Sequence, residues 1–166
     1  MSHRAHIIIA ATVCAVALVA AGCGSDTHHN ASDPSAKQAL LREASLGFGA
    51  FHRFIWVPAR AGRLSRRGSP VVIKARVTAR FASESLRAAA RHARGIKRLR
   101  VLFAPLQVTA DKISAVRSAL SKPHAAAEVE AINQILHRIA NAARKNGARI
   151  VEAPAAQIGA AGGPRA

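Results

Sequence analysis

Arginines at helical spacing are the residues of this chain best suited to chemistry. They lie on one side of a helix predicted between residues 71 and 94, and they are Arg76, Arg80, Arg87, Arg91 and Arg94. A row of guanidinium groups attracts polyanions, because each group carries a permanent positive charge and a planar set of hydrogen-bond donors. The spacing therefore predicts a polyanion-binding surface on these five arginines.

The overall charge indicates the same chemistry. The 166 residues include 25 Lys and Arg against 8 Asp and Glu, for a formal net charge of +17. A GC-rich genome favours arginine over lysine, but that bias does not by itself remove carboxylates. Phe81 is the one aromatic residue in the basic helix, so base stacking and sequence-specific nucleic-acid binding are not expected. The predicted partners are anionic lipids, anionic wall polymers or a protein.

No set of residues in the sequence has the pattern of a catalytic site. The carboxylates are scattered, and most of them lie in linkers or near predicted helix N-termini, where the helix dipole favours negative charge. Neither paired carboxylates nor a nucleophile with a base and an orienting residue can be recognised. We therefore predict a non-enzymatic protein without a cofactor.

Three histidines leave a second hypothesis open. His52, His92 and His137 lie on different predicted helices, and imidazole nitrogens from different helices can converge on zinc or copper. Nothing in their spacing requires a shared site, and separate surface or interfacial histidines are the simpler interpretation. A small-ligand or metal carrier is the alternative function.

A second aromatic and basic region lies upstream of the basic helix. Residues 48–56 contain three phenylalanines and Trp56, with Arg60 and Arg63 shortly after. Most of these aromatic residues fit a broad buried stripe, which is the first interpretation. The alternative is a membrane-surface site at Trp56, Arg60 and Arg63, because tryptophan beside arginine suits an interface with anionic headgroups.

The N-terminal residues have the parts of a secretory signal. Arg4 supplies a basic start, and residues 7–21 are uncharged and rich in Ile, Val, Ala and Leu. That run is too short to span a bilayer as a helix, which takes about 20 apolar residues. The pattern predicts a signal peptide over residues 1–22.

The residues before the expected cleavage point resemble the lipobox of bacterial lipoproteins. Ala20, Ala21 and Gly22 directly precede Cys23. The resemblance implies that Cys23 carries a diacylglycerol, which anchors the protein stably on the extracytoplasmic face of the plasma membrane. An ordinary secretory signal with an incidental cysteine is the alternative. Cys14, the other cysteine, would be removed with the leader, which leaves no thiol for catalysis or a zinc–thiolate site.

Apolar residues in the rest of the chain recur with the period of a helix, and no useful stretch alternates with period two. Ser69 and Pro70 form a typical helix start, a capping side chain followed by proline. The clearest helical stripe consists of Val129, Ile132, Leu136, Ile139 and Ala143. The predicted fold class is all-α, an antiparallel bundle of about four helices.

Proline and glycine mark the expected limits of the helices. We expect Pro58 to end or kink the first helix, because proline removes a backbone donor. Gly95 is expected to end the second helix, and Asn146 and Gly147 are expected to end the last one. Pro105 interrupts the next apolar pattern, which leaves open whether one kinked helix or two short ones follow.

Composition divides the chain into four parts. After the signal peptide, the small polar residues 23–33 predict a lipidated flexible tether. Residues 34–147 form the basic helical domain, and residues 148–166, mostly Ala, Gly and Pro, are predicted to be a disordered tail. The sequence thus predicts an exported, lipid-anchored basic helical protein of the bacterial cell envelope.

Overall fold

The computed structural model describes residues 34–165. The predicted signal peptide, Cys23 and the tether at residues 23–33 lie outside the described residues. A π-helical turn, His52–Trp56, joins the first two helices, and a 3-10 turn, Arg100–Leu102, precedes the fourth. The helices are α1 (Pro34–Phe51), α2 (Val57–Arg60), α3 (Pro70–Gly95), α4 (Phe103–Val116), α5 (Ala125–Lys145) and α6 (Ala155–Ala160). Residues 34–165 contain no strand, so the all-α prediction is confirmed.

The four long helices form the bundle. α3 lies between α1 and α4 and packs along both, and α4 contacts α5. α5 returns to the π-helical turn and to α2, which closes the bundle around one core. Each long helix runs antiparallel to the next long helix in the chain, as predicted. Every helix within residues 34–165 is too short or too polar to cross a lipid bilayer.

α3 begins and ends where the sequence predicts. The Ser69 hydroxyl accepts a hydrogen bond from the Val72 N–H at 3.3 Å, and Pro70 occupies the first turn, where an N–H has no intrahelical partner. Gly95 is the last helical residue. The buried side of α3 is rich in alanine, which allows its neighbours to approach closely. At Gly47 of α1, an added Cβ would lie 2.9 Å from the Leu86 side chain.

The first helix does not end at Pro58. The Val57 N–H bonds to the His52 carbonyl, five residues back, and the chain then continues helically to Arg60. A proline cannot donate to the carbonyl four residues before it, and its ring crowds that carbonyl in a regular α-helix. The disturbance expected at Pro58 therefore takes the form of the π-helical turn just before it.

The region around Pro105 forms one helix. Pro105 falls in the first turn of α4, where its missing N–H removes no intrahelical bond. Thr109 lies in the middle of α4, and its hydroxyl donates to the Pro105 carbonyl at 2.7 Å. The choice between one kinked helix and two short ones is thus decided in favour of a single α4 with a 3-10 turn before it.

α5 matches its predicted stripe and its predicted end. All five residues of the stripe are at most 4% exposed. Beyond Asn146, Gly147 has φ of 78°, a left-handed conformation that favours glycine. The Ala148 N–H then bonds back to the Ala143 carbonyl at 2.9 Å. This closing pattern satisfies the carbonyls of the last helical turn.

The prediction of a disordered tail at residues 148–166 is wrong for the described part. Residues 148–165, the C-terminal segment, pack against the bundle, and Ala148, Ala153 and Ile158 are at most 4% exposed. The Ala153 N–H donates to the Ser45 carbonyl of α1 at 3.0 Å. The small residues of this segment predicted that it had little to bury. The small residues instead allow its backbone to cross α1 closely. A Cβ added to Gly49 would lie 2.7 Å from the Ala153 nitrogen.

Candidate polyanion-binding surface

The five predicted arginines share the outer side of α3 but differ in their surroundings. At 100° per residue, they fall on the same side of the helix as Ile73 and Val77. Arg80, Arg91 and Arg94 are exposed, whereas Arg76 and Arg87 are half-buried. Ile73 and Val77 are 54% and 56% exposed. The outer side of α3 thus combines cationic groups with two exposed apolar side chains one turn apart.

Contacts with α4 hold two arginines of the C-terminal half of α3. The Arg87 guanidinium donates to the Asp111 carboxylate at 2.9 Å. The Arg94 guanidinium lies 4.3 Å from the centre of the Phe103 ring, a cation–π geometry. These two side chains connect α3 to α4, and Arg87 already has an anionic partner.

Arg80 has a partner on its own helix. Its Nε donates to the Glu84 carboxylate at 2.9 Å, and both side chains are exposed. The hydrogen bond and the charge of Glu84 raise the pKa of Arg80 above its ordinary value. An exposed pair of this kind contributes little to stability, so an external anion can compete with Glu84.

An arginine-lined groove borders the N-terminal half of α3. Arg67 enters it from the connection between α2 and α3, and Arg117 enters it directly after α4. The groove has a volume of about 630 Å³, and its lining residues are Arg67, Arg76, Val77, Arg80, Arg117 and Ser118. The Nε atom of Arg76 is buried, and within residues 34–165 it has no hydrogen-bond partner. We call this feature the arginine groove.

A second cationic groove is lined by basic residues upstream of α3 and in its first turns. Arg53, Arg63 and Lys74 line it. The apolar lining residues are Phe54, Pro58, Pro70 and Val71. The Lys74 ammonium lies 5.4 Å from the centre of the Phe54 ring. Arg63, predicted as part of a membrane-surface site, therefore lies in this smaller groove of about 270 Å³.

Trp56 is held by three neighbours. Its indole N–H donates to the Glu130 carboxylate of α5 at 2.7 Å. The His52 ring stacks on it with centroids 4.6 Å apart, and the Arg60 guanidinium lies 5.0 Å from its centre. A tryptophan with a satisfied N–H and covered ring faces serves packing between the π-helical turn and α5. Ile73 and Val77, at 54% and 56%, are more exposed than the half-buried Trp56.

The three histidines do not form a common site. His52 stacks on Trp56, and its Nδ1 lies 3.0 Å from the Glu152 carboxylate of the C-terminal segment. His137 is exposed on α5, and His92 is half-buried on α3. Within residues 34–165, no three His, Cys, Asp or Glu side chains are grouped so as to hold a metal ion. The described residues therefore do not bring His52, His92 and His137 together as one metal site.

No protein-family model matches this chain, and comparisons with curated proteins and with solved structures gave no match.

Charge pairing within the described residues leaves most cations without a carboxylate. Residues 34–165 contain all of the 25 Lys and Arg except Arg4, and all of the 8 Asp and Glu except Asp26 and Asp33. In this part of the chain, three of these cations lie within 4.0 Å of a carboxylate: Arg42, Arg80 and Arg87. The other carboxylates contact histidines or Trp56. The positive charge is therefore available to external anions.

Arg117 is a member of the surface that the sequence analysis missed, and Arg67 belongs in sequence to the basic region after Trp56 rather than to the basic helix. Neither lies at helical spacing with the arginines of α3. The signal that connects them is the antiparallel pairing of α3 with α4, which brings the end of α4 beside the start of α3. Short connections predict that α4 runs back along α3, and only that pairing predicts that the residues after α4 lie beside the start of α3.

Proposed function

We propose that this protein is a lipid-anchored, non-enzymatic protein of the bacterial cell envelope, and that the outer side of α3 binds the anionic surface of the membrane. The observation that carries the proposal is the exposure of Ile73 and Val77 beside the arginines of α3. Within residues 34–165, Arg76, Arg91 and Arg94 have no carboxylate within 4.0 Å, whereas Arg80 and Arg87 each have one. Apolar side chains enter the interfacial region of a bilayer while neighbouring cations contact the headgroups. The outer side of α3 offers both groups together.

Electrostatics would supply most of the attraction. Each lysine or arginine near an anionic membrane contributes about 1 kcal/mol. Four arginines would therefore contribute about 4 kcal/mol, which is weak for a freely diffusing protein. A lipid anchor on Cys23 would make such contacts effective, because it holds the domain at the surface and raises its local concentration there. Only a short stretch of chain separates Cys23 from the start of α1 at Pro34.

We expect the chain from residue 24 to 166 to bind vesicles containing phosphatidylglycerol and not vesicles of phosphatidylcholine alone. The fragment retains the bundle, because all of the described core residues lie beyond residue 34. Binding should fall steeply with salt, since the screening length decreases from about 10 Å at 0.1 M to about 3 Å at 1 M. Co-sedimentation at several salt concentrations measures both effects. A fragment that ignores anionic vesicles at low salt would contradict the proposed function.

Two variants with equal loss of charge test the location of the surface. In the first, Arg76, Arg80, Arg87 and Arg91 become glutamine, and vesicle binding should be largely lost. In the matched control, four exposed arginines become glutamine, none of which has a carboxylate partner within residues 34–165, namely Arg138, Arg144, Arg149 and Arg165. The control should bind much more strongly than the first variant. Equal losses in both would show that net charge alone, and not the outer side of α3, determines binding.

Lipidation has its own test. Cys23→Ser should abolish acylation and prevent processing at this position, because the resemblance to a lipobox implies attachment through the Cys23 sulfur. Mass spectrometry of the N-terminal peptide from membrane extracts measures the modification. A wild-type peptide that runs through Gly22 and Cys23 with an unmodified thiol would contradict the lipoprotein assignment.

A further inference from the structure

We propose that the arginine groove is a binding site for a single phosphate group. The site would be formed by Arg76 and Arg80 of α3, Arg67 before α3 and Arg117 after α4. The inference deepens the proposed function and rests on it in one respect: the headgroup of an anionic phospholipid is one source of the phosphate. The other source is the free phosphate ion.

The groove is built from three segments held in place by the core. Leu64 anchors the α2–α3 connection and is 4% exposed, while Val116, directly before Arg117, is 2% exposed. The Ser69 cap fixes the start of α3 between them. The backbone that carries the four arginines is thus held in place by the core. A ligand that binds between their guanidinium groups does not have to order it.

The Arg76 side chain has a hydrogen-bond donor that no group in residues 34–165 uses. Its Nε is buried, and within residues 34–165 it is the one buried side-chain nitrogen or oxygen without a hydrogen-bond partner. A buried donor without an acceptor destabilises a protein, and the effect is larger when the group is charged. A rotation of the Arg76 side chain that uncovers Nε would let an oxyanion in the groove accept from Nε and a terminal nitrogen together, the paired geometry in which guanidinium groups bind phosphate.

The composition of the lining favours phosphate over a carboxylate. No acidic side chain lines the groove, and Glu84 offsets one of the four charges through its pair with Arg80. A carboxylate has two oxygens and one negative charge, so it can pair fully with one guanidinium fork. The free phosphate ion has more acceptor oxygens and up to two negative charges, so it can contact several guanidinium groups at once. The phosphodiester of a phospholipid headgroup presents one negative charge and two non-bridging oxygens, so it would contact fewer of them. Val77 and Ser118 complete the lining.

Calorimetric titration of the 24–166 fragment with inorganic phosphate, at low and constant ionic strength, tests the site. We expect one saturable site per chain. Arg76→Gln and Arg117→Gln should each weaken phosphate binding at least tenfold, because each removes one fork from the groove. Arg138→Gln, which removes one exposed charge outside the groove, should change binding less than twofold. Circular dichroism checks that each variant is folded.

The result that would overturn the site is the absence of saturable phosphate binding, or equal weakening by Arg76→Gln and Arg138→Gln. If Arg76→Gln fails to fold, the comparison of Arg117→Gln with Arg138→Gln decides, since both residues are exposed. Arg76→Lys adds a further comparison. It keeps the charge and removes the fork, so it should also weaken phosphate binding.

A competition experiment separates the two sources of phosphate. Inorganic phosphate is added to the fragment bound to phosphatidylglycerol vesicles, with chloride of equal ionic strength as the control. Release by phosphate beyond the chloride control supports a site occupied by the headgroup, and saturable phosphate binding without extra release supports a site for the free ion. Vesicle binding without any phosphate site would overturn this inference and leave the proposed function standing. Phosphate binding without vesicle binding would support the phosphate site and contradict the proposed function.

Discussion

Substitution of Gly49 by alanine should release the C-terminal segment from the bundle. A Cβ on Gly49 would lie 2.7 Å from the Ala153 nitrogen, and the contact is with backbone, which cannot rotate away as a side chain can. The Ala153 N–H bond to the Ser45 carbonyl and the buried Ile158 depend on this close crossing. Alanine ordinarily stabilises a helix by about 1 kcal/mol relative to glycine, so a net loss of stability would show that the clash dominates.

Limited proteolysis and thermal unfolding measure the effect of Gly49→Ala. We expect rapid cleavage between residues 148 and 165 and a net destabilisation of about 1–3 kcal/mol, the range for forcing extra volume into a packed site. Gly95→Ala is the matched control, because Gly95 is also helical and an added Cβ there meets nothing within 4 Å. The control should be neutral or slightly stabilising. If Gly49→Ala were as stable and as protease-resistant as Gly95→Ala, the packing of the C-terminal segment on α1 would be wrong.

Phe51→Ala should produce the largest loss of stability of any single substitution proposed for this chain. Phe51 ends α1, is 0% exposed and is among the largest fully buried side chains. Removal of a buried phenylalanine ring typically costs about 3–5 kcal/mol, from the lost transfer free energy and the cavity left behind. A domain of this size has a free energy of unfolding of about 5–15 kcal/mol, so the variant would be close to unfolding at moderate temperature.

Urea unfolding followed by circular dichroism measures this loss. Val108→Ala on α4 is the control, since Val108 is 51% exposed and a surface substitution usually changes stability by less than about 0.5 kcal/mol. A loss below about 1 kcal/mol for Phe51→Ala would remove this residue from the core. A comparable loss for Val108→Ala would show that the face of α4 carrying it is buried.

The local signals in the sequence predicted the helices well, because caps and stripes depend on neighbouring residues. Ser69 begins α3, Gly95 ends it, and Asn146 and Gly147 end α5. The apolar spacing of α5 identified the buried residues, since one face of a helix must cover the core. Fold class and helix order follow from such local information.

The C-terminal segment and the arginine groove could not be predicted in the same way, because both depend on contacts between distant parts of the chain. Ala153 is small and lies among other small residues, and only its crossing at Gly49 shows that it is buried. Arg117 has no neighbours in sequence that mark it as part of a site. It joins Arg76 because α4 runs back along α3. The outer-side arginines, in contrast, were visible from their helical spacing alone.

The return of the C-terminal segment to α1 also affects the order of events during synthesis. Packing between consecutive helices can form as each helix leaves the ribosome, whereas the Ser45–Ala153 contact joins residues about 100 positions apart. The chain is synthesised at roughly 5–20 residues per second. The segment that covers α1 around Gly49 is therefore made about 5–20 seconds after α1 itself. Buried residues beside that surface, such as Leu46, are uncovered during this interval. The second half of α1 is therefore incompletely covered until the C-terminal segment has been made.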